Sequence, residues 1–288
     1  MSVPSTFLKV TATGNDFIIF LDLENRFSPT EREVSGLCDR HFGIGADGLI
    51  RIGTTELDDF FMDYFNSDGS SAQMCGNGVR ATAAALKHFG KTDDDSSILV
   101  DTRAGLKVVQ RQHDVEHVGF SLFDANNFQK KIDVFRVNMG KWSADDGAKF
   151  EVRAGQFNYS ARFVDMGNEH LVVEVPLQAE LDKLDLSMPP LVSSDDSEFA
   201  ERVKTAGTNV EFYYFHNGKL KLRIWERGVG ETLSCGTGVC ATAISNYLDR
   251  GLLHARVEVK GGVLDVDVHP DFVSLQGSAQ VVSEFEYF

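Results

Sequence analysis

Chemistry in this chain is legible first in one nine-residue phrase that occurs twice, each time opening on a cysteine. The first copy is Cys75-Gly76-Asn77-Gly78-Val79-Arg80-Ala81-Thr82-Ala83, and the second is Cys235-Gly236-Thr237-Gly238-Val239-Cys240-Ala241-Thr242-Ala243. Seven of nine positions agree, and the copies lie 235 − 75 = 160 positions apart. In each, a thiol precedes a glycine-rich turn and a small-residue apolar run that reads as a helix. A helix start carries partial positive charge and free N–H groups, a setting that lowers a thiol's pKa and attracts anions. Two pseudo-equivalent halves most simply pack face to face, with one thiol from each side of a cleft. One sulfur, as thiolate, then removes a proton from a carbon while the other delivers one to the opposite face. This is racemase or epimerase chemistry by two bases. The amides of Gly76, Asn77, Gly236 and Thr237 suit the carboxylate on which the carbanion's charge develops. Such a reaction requires no cofactor, and no flavin, nicotinamide or pyridoxal site is identifiable.

The other two thiols, Cys38 and Cys240, read as small core hydrophobes. Cys240 falls five residues into its helix, and its repeat mate is Arg80. Asn15, Asn66, Asn168 and Asn209 each sit in a turn, where Asn is common for local reasons. Together they fall at repeat-equivalent or cleft-edge positions. His170 follows a Gly-Asn turn, which points it toward the cleft.

The elements that must position these residues repeat as well. Phe7 to Phe20 reads as strand, Gly14-Asn15 turn, strand, and Arg162 to Val175 repeats it around Gly167-Asn168. A helix is expected over Thr30 to Phe42 and another around Ser197 to Lys204. Strands Asp59 to Asn66 and Leu220 to Glu226 lead into the cysteine turns. The helices after the cysteines run to about Phe89 and Asp249, stopped by Gly90 and Gly251. Both are poor in charge, so each is buried on most sides. Hairpins follow over Ile98 to Val109 and Arg256 to Val268. The expected fold is α/β (α+β): two pseudo-symmetric domains, each a curled, mostly antiparallel or mixed sheet around a central helix. The junction is expected near Ala125-Asn126-Asn127, giving residues 1–125 plus 277–288 as one domain and 126–276 as the other, with the last strand returning to the first sheet.

The chain has 288 residues, enough for two medium domains. A formal net charge of −15 argues against nucleic acid or an anionic membrane as partner. No signal peptide or membrane-length apolar run is visible, so the expected location is the cytoplasm with free thiols.

Several motifs carry a resemblance. Phe65-Asn66-Ser67-Asp68-Gly69-Ser70 running on to Met74 and the first cysteine phrase, and Glu226-Arg227-Gly228-Val229-Gly230-Glu231-Thr232 running on to the second, resemble the two signatures of diaminopimelate epimerases. Gly14-Asn15-Asp16-Phe17, Gly43-Ile44-Gly45-Ala46-Asp47-Gly48 and Gly207-Thr208-Asn209-Val210-Glu211-Phe212 are similar too. The resemblance implies interconversion of LL- and meso-diaminopimelate, toward lysine and peptidoglycan, with no cofactor and no metal, often in a homodimer. It implies that Cys75 and Cys235 are the acid/base pair and that the amides of Gly76, Asn77, Gly236 and Thr237 hold the reacting carboxylate. It also implies that Asn15, Asn66, Asn168, Asn209 and Arg227 read the substrate's ammonium and carboxylate groups, with Glu226 and His170 tuning the thiols. A fixed Arg fork suits a distal carboxylate. Three positions depart from the family pattern: Gly48 where many members have Gln, Glu169 where many have Pro, and Val203-Lys204 where many have Phe-Pro. Of these, Glu169 bears most on the site, because a proline there fixes the loop carrying Asn168 and His170. The alternatives are a racemase of proline or histidine on the same scaffold, a phenazine-type isomerase, a non-catalytic ligand-binding relative and a thiol redox protein.

Overall fold

The computed structural model describes residues 4–56, 59–93, 95–113 and 132–286. It divides into two compact units, one running to Asn138 and resuming at Gln276, the other spanning Met139–Leu275. The junction expected at Ala125-Asn126-Asn127 lies outside the described residues.

The first unit contains β1 (Thr6–Ala12), β2 (Asn15–Leu21), α1 (Glu31–Cys38), β3 (Gly48–Thr54), β4 (Phe60–Asn66), α2 (Gly76–His88), β5 (Ile98–Asp101), β6 (Lys107–Gln112) and most of β7 (Asp133–Gly140). Neighbouring strands pair in that order, with β2–β3 and β4–β5 parallel and the rest antiparallel. The second unit runs through β8 (Ser143–Ala154), β9 (Phe157–Asp165), β10 (Glu169–Glu174), α3 (Gln178–Lys183), β11 (Leu191–Ser194) and α4 (Ser197–Ala206). It continues with β12 (Asn209–His216), β13 (Lys219–Glu226), the short β14 (Gly230–Thr232), α5 (Gly236–Arg250), β15 (His254–Val259) and β16 (Gly262–Val268). Its registers give the order β11-β8-β9-β10-β12-β13-β15-β16, again with two parallel pairs, β10–β12 and β13–β15. The final strand, β17 (Val273–Glu286), pairs with both β1 and β7 and so closes the first unit's sheet into an eight-stranded ring. The expected return of the last strand is thus observed.

Each sheet curls around one helix. Every residue of α2 from Gly76 to Leu86 is buried, as are Gly236 and Gly238 to Asn246 of α5. The small residues explain this placement: alanine and glycine let strands approach from several sides, while Val79, Leu86, Val239 and Ile244 fill the gaps between them. Burying each of those four aliphatic side chains is worth about 1.5–3 kcal/mol. Gly251, with φ of 70°, ends α5 as a left-handed cap.

Two local expectations change. The helix expected over Thr30 to Phe42 begins on a Thr30–Glu33 capping box but ends at Cys38. The cause is Asp39, whose carboxylate accepts from the amides of His41 and Phe42 at 2.8 and 2.7 Å and turns the chain out of the helical path. At the first Gly-Asn turn the left-handed residues are Thr13 (φ 48°) and Gly14 (φ 89°); Asn15 already belongs to β2. Gly167 (φ 88°) repeats the glycine's role in the second unit.

Candidate active site

Each unit builds one half-site at the start of its central helix. Cys75 is the N-cap of α2 (φ −140°, ψ 119°) and Cys235 the N-cap of α5 (φ −126°, ψ 116°). In both, the cysteine carbonyl accepts the first helical bond, from Val79 and Val239 at 2.9 Å. The amides of Gly76, Asn77, Gly236 and Thr237 fall in the first turn, where the helix ladder supplies no acceptor. The predicted cradle amides therefore sit where an anion can be held.

In the first half-site a hydrogen-bonded chain runs away from α2. The buried Arg80 guanidinium donates to Asn77 Oδ1 at 2.7 Å and to Thr13 Oγ1 at 3.0 Å. Asn77 Nδ2 donates to Asn15 Oδ1, and Asn15 Nδ2 donates to Asp47 Oδ2 at 3.0 Å. Arg40 bridges Asp47 and Asp16. Asn66 stands apart from this chain and donates to Ser70 Oγ at 3.0 Å. Gly48 has a plain steric reason: a Cβ there would meet Phe65 O at 2.5 Å and the Tyr64 ring at 2.6 Å. A side chain at this position has no room in this chain.

The second half-site is richer in titratable groups. The Cys235 thiol donates to the Glu226 carboxylate, which also accepts from Thr232 Oγ1. Cys235 Sγ lies 3.4 Å from Thr237 Oγ1. Asn168 Nδ2 donates to Thr237 Oγ1 at 3.3 Å. His170 is fully buried, and its Nδ1–H donates to Glu211 Oε1 at 2.7 Å. Asn209 is engaged at both ends, donating to Glu169 O at 2.9 Å and accepting from the Arg227 backbone N–H at 3.0 Å. The Arg227 guanidinium is exposed and forms no ion pair among the described residues. A helix N-terminus alone would lower the Cys235 pKa. Instead, burial pushes it well above the ordinary value, and Glu226 and Glu211 push it the same way, outweighing Thr237 and the Gly238 amide. Burial also raises the Glu226 carboxyl, against the hydrogen bonds from Thr232 and Cys235.

Strand registers match the half-sites position by position. Phe17 stands opposite Gly48 as His170 stands opposite Asn209, so two residues further on Ile50 matches Glu211. Gly48 faces Asn66, and the Val210–Trp225 pair places Glu226 at the matching site across from Asn209. His170, Glu211 and Glu226 thus replace Phe17, Ile50 and Asn66. Sequence reasoning missed Glu211, Arg80 and Asp47. A lone carboxylate inside the apolar run Val210 to Phe215 was the available signal for the first.

Cys38 and Cys240 are core residues, 3 % and 0 % exposed. Val203 packs on the second unit's core and Lys204 pairs with Glu201 in solvent, so that departure lies in a surface helix.

Two sheet-wrapped helices, each starting on a thiol, place the chain in a recognisable structural class. Its fold is similar to that of a phenazine biosynthesis protein from Bacillus anthracis (TM-score 0.70, 15% identity, 99% of each chain). It is also similar to a probable proline racemase from Agrobacterium radiobacter (TM-score 0.65, 11% identity, 99% of this chain and 93% of that one). The sequence narrows the class. The diaminopimelate epimerase family pattern matches residues 7–126 and 162–282. Curated diaminopimelate epimerases from Streptomyces coelicolor and Corynebacterium glutamicum are each 37% identical to it, over 100% and 98% of this chain and 96% and 98% of theirs. The chain belongs to the diaminopimelate epimerase family.

Proposed function

We infer that this protein is a diaminopimelate epimerase, an isomerase that interconverts LL- and meso-diaminopimelate through Cys75 and Cys235. The observation that carries the reading is the matched pair of thiols at the N-caps of two buried helices, in a chain similar to named diaminopimelate epimerases along its whole length. In one direction Cys75 takes the α-hydrogen as a proton and Cys235 donates its own to the other face; in the reverse direction the roles exchange. The α-carbon is a weak acid because its carboxylate is already negative. First-turn amides of α2 and α5, fixed before the reaction, offset the charge that builds there. Asn15 and Asn168 are held by Asp47 and Thr237, so they meet the substrate in set orientations. Exposed and without an ion pair among the described residues, the Arg227 fork suits the distal carboxylate. The family's full-length relatives favour this substrate over proline or histidine.

An acidic chain in which no described helix is long and apolar enough to cross a membrane fits a cytoplasmic enzyme, and the family resemblance favours a homodimer. Proton-exchange NMR on LL-diaminopimelate in deuterated buffer tests the chemistry. Wild type is expected to place solvent deuterium at one α-carbon during epimerisation, and Cys75→Ser and Cys235→Ser to lose epimerisation by at least 100-fold, on the order of a positioned acid or base. Turnover of proline or histidine in preference, or activity surviving both substitutions, overturns the reading.

A further inference from the structure

Glu211 is buried to 0 % exposure in β12, within the otherwise uncharged run Val210 to Phe215. A carboxylate is rarely left in such a place without a task, because removing its charge from water is costly unless partners compensate. One oxygen, Oε1, is accounted for by His170 at 2.7 Å. The other, Oε2, has no hydrogen-bond partner among the described residues, and neither has His170 Nε2. The backbone has also been shaped to admit this side chain: a Cβ on Gly238 would lie 2.5 Å from Glu211 Oε1. Gly238 is in the first turn of α5, three residues after Cys235. Glu211 therefore abuts the helix start that carries the thiol. In the first unit the equivalent contact on Gly78 is made by Ile50 at an ordinary 3.4 Å. Only one of the two thiols has a carboxylate in this slot.

We propose that Glu211 is a positioning residue of the Cys235 half-site: it fixes the His170 ring through Nδ1 and sets a carboxylate against the helix start that carries Cys235. The Nδ1–H bond leaves His170 Nε2 as the ring's remaining polar atom. The titratable groups bearing on Cys235 are Glu226 from β13 and Glu211 from β12, while His170 from β10 bears on Glu226. Of these, α5 contributes none in its first turn. Of the charged residues on the other strands around α5, Arg162 pairs with Asp249, Arg256 with Asp265 and His254 with Asp267, Asp165 accepts from the Gly167 amide, and Glu258 is exposed. In the first unit Phe17, Ile50 and Asn66 supply no charge at the matching positions. The two half-sites thus differ in charge at their matching positions before any substrate arrives.

Iodoacetamide alkylation of the intact protein, followed thiol by thiol by peptide mass spectrometry across pH 6 to 11, tests this without substrate. In wild type, Cys235 is expected to react with a midpoint above that of Cys75. Glu211→Gln keeps the shape beside Gly238 and removes the charge; it should lower the Cys235 midpoint by roughly one pH unit and leave that of Cys75 in place. Glu211→Asp, which restores the charge, should return the midpoint toward wild type. Equal midpoints for the two wild-type thiols, or a Cys235 midpoint unmoved in folded Glu211→Gln, overturns the proposal, and the wild-type comparison decides it should the variant not fold. A kinetic arm rests on the epimerase reading: Glu211→Gln should displace the pH profile of kcat while changing KM less than threefold. Failure of the alkylation arm counts against Glu211 alone, whereas absence of wild-type turnover counts against the epimerase reading alone.

Discussion

Asn209 holds the Arg227 loop: its Oδ1 accepts from the Arg227 backbone N–H at 3.0 Å while its Nδ2 donates to Glu169 O at 2.9 Å. One side chain ties the end of β13 to the start of β10. The family resemblance assigns Asn209 to substrate reading, but both of its polar ends already have partners in the protein. The position of Arg227 is one route by which it acts on substrate. Asn209→Ala removes two hydrogen bonds, each worth about 1 kcal/mol net. The expected result is a KM for diaminopimelate raised about tenfold with kcat changed less than threefold. Combined with Arg227→Ala, it should add almost nothing further, since the two act on one contact. Steady-state kinetics on the two single variants and the double variant check this; fully additive losses would show that Asn209 acts on its own.

Gly238 and Gly78 occupy equivalent helix positions, yet substitution should separate them. A Cβ on Gly78 meets Cys75 Cβ and the Ile50 side chain at 3.4 Å, which is ordinary contact. A Cβ on Gly238 meets a buried carboxylate at 2.5 Å. Gly238→Ala should destabilise the protein by about 1–3 kcal/mol, the usual range for overpacking. Gly78→Ala should be near neutral or mildly stabilising, since alanine is the better helix former. Urea denaturation midpoints of the two variants test the contrast, and equal losses would contradict it.

The thiol of Cys38 supplies a pH dependence separate from that of the proposed acid/base pair. Burial pushes it up to about 12, against the attraction of Lys9 and with some help from Asp16. In the unfolded chain a cysteine ionises near pH 8.5. The folded pKa is raised, so the contribution to stability is complete below about pH 8.5 and is lost as pH climbs toward 12. Cys235 acts in the same direction. Unfolding free energy should thus decline on the alkaline side by up to about 1.4 kcal/mol per pH unit for each such thiol. Cys38→Ala is expected to be less stable at pH 7 but to show a shallower fall between pH 9 and 10.5. Parallel urea titrations across that window decide the matter, and an unchanged slope in the variant would remove Cys38 as a cause.

Much of this architecture was written in the chain, because the repeat constrains it twice. The Cys-Gly phrases fixed both helix starts, Gly14 and Gly167 marked both strand junctions, and charge-poor runs marked the helices as central. Short-range signals of this kind survive in sequence. What escaped was lateral. Glu211 meets His170 only because β10 and β12 are parallel neighbours in a given register, and their residues are 41 positions apart. Arg80 reaches Thr13 across 67 positions. Alignment of the halves pointed to the thiols, where they agree. The differing positions, Ile50 against Glu211 and Phe17 against His170, emerged only once registers were known. The end of α1 escaped for a local reason, since an Asp39 side chain competing for two amides looks from sequence like any surface aspartate.

Glu169 stands where the sequence resemblance leads one to expect proline, and the structure gives it two substitutes for that ring. Its carbonyl accepts from Asn209, and its carboxylate pairs with Arg202 on α4 at 2.7 Å. Proline restrains a loop through its own φ, whatever the solvent. An ion pair restrains it through charge, and this one is partly exposed, so it is worth little to global stability and is screened by salt. The loop carrying Asn168 and His170 should accordingly be held more loosely at high ionic strength. For wild type, kcat/KM for diaminopimelate is expected to fall about threefold to tenfold between 0.05 and 1 M sodium chloride, while the urea midpoint barely moves. Arg202→Ala should start at the lower value and respond less to salt, and Glu169→Ala should match it. Kinetics run over the salt series in all three proteins test this. A loss of equal size in wild type and Arg202→Ala would assign the effect to screening of the charged substrate instead of to the loop.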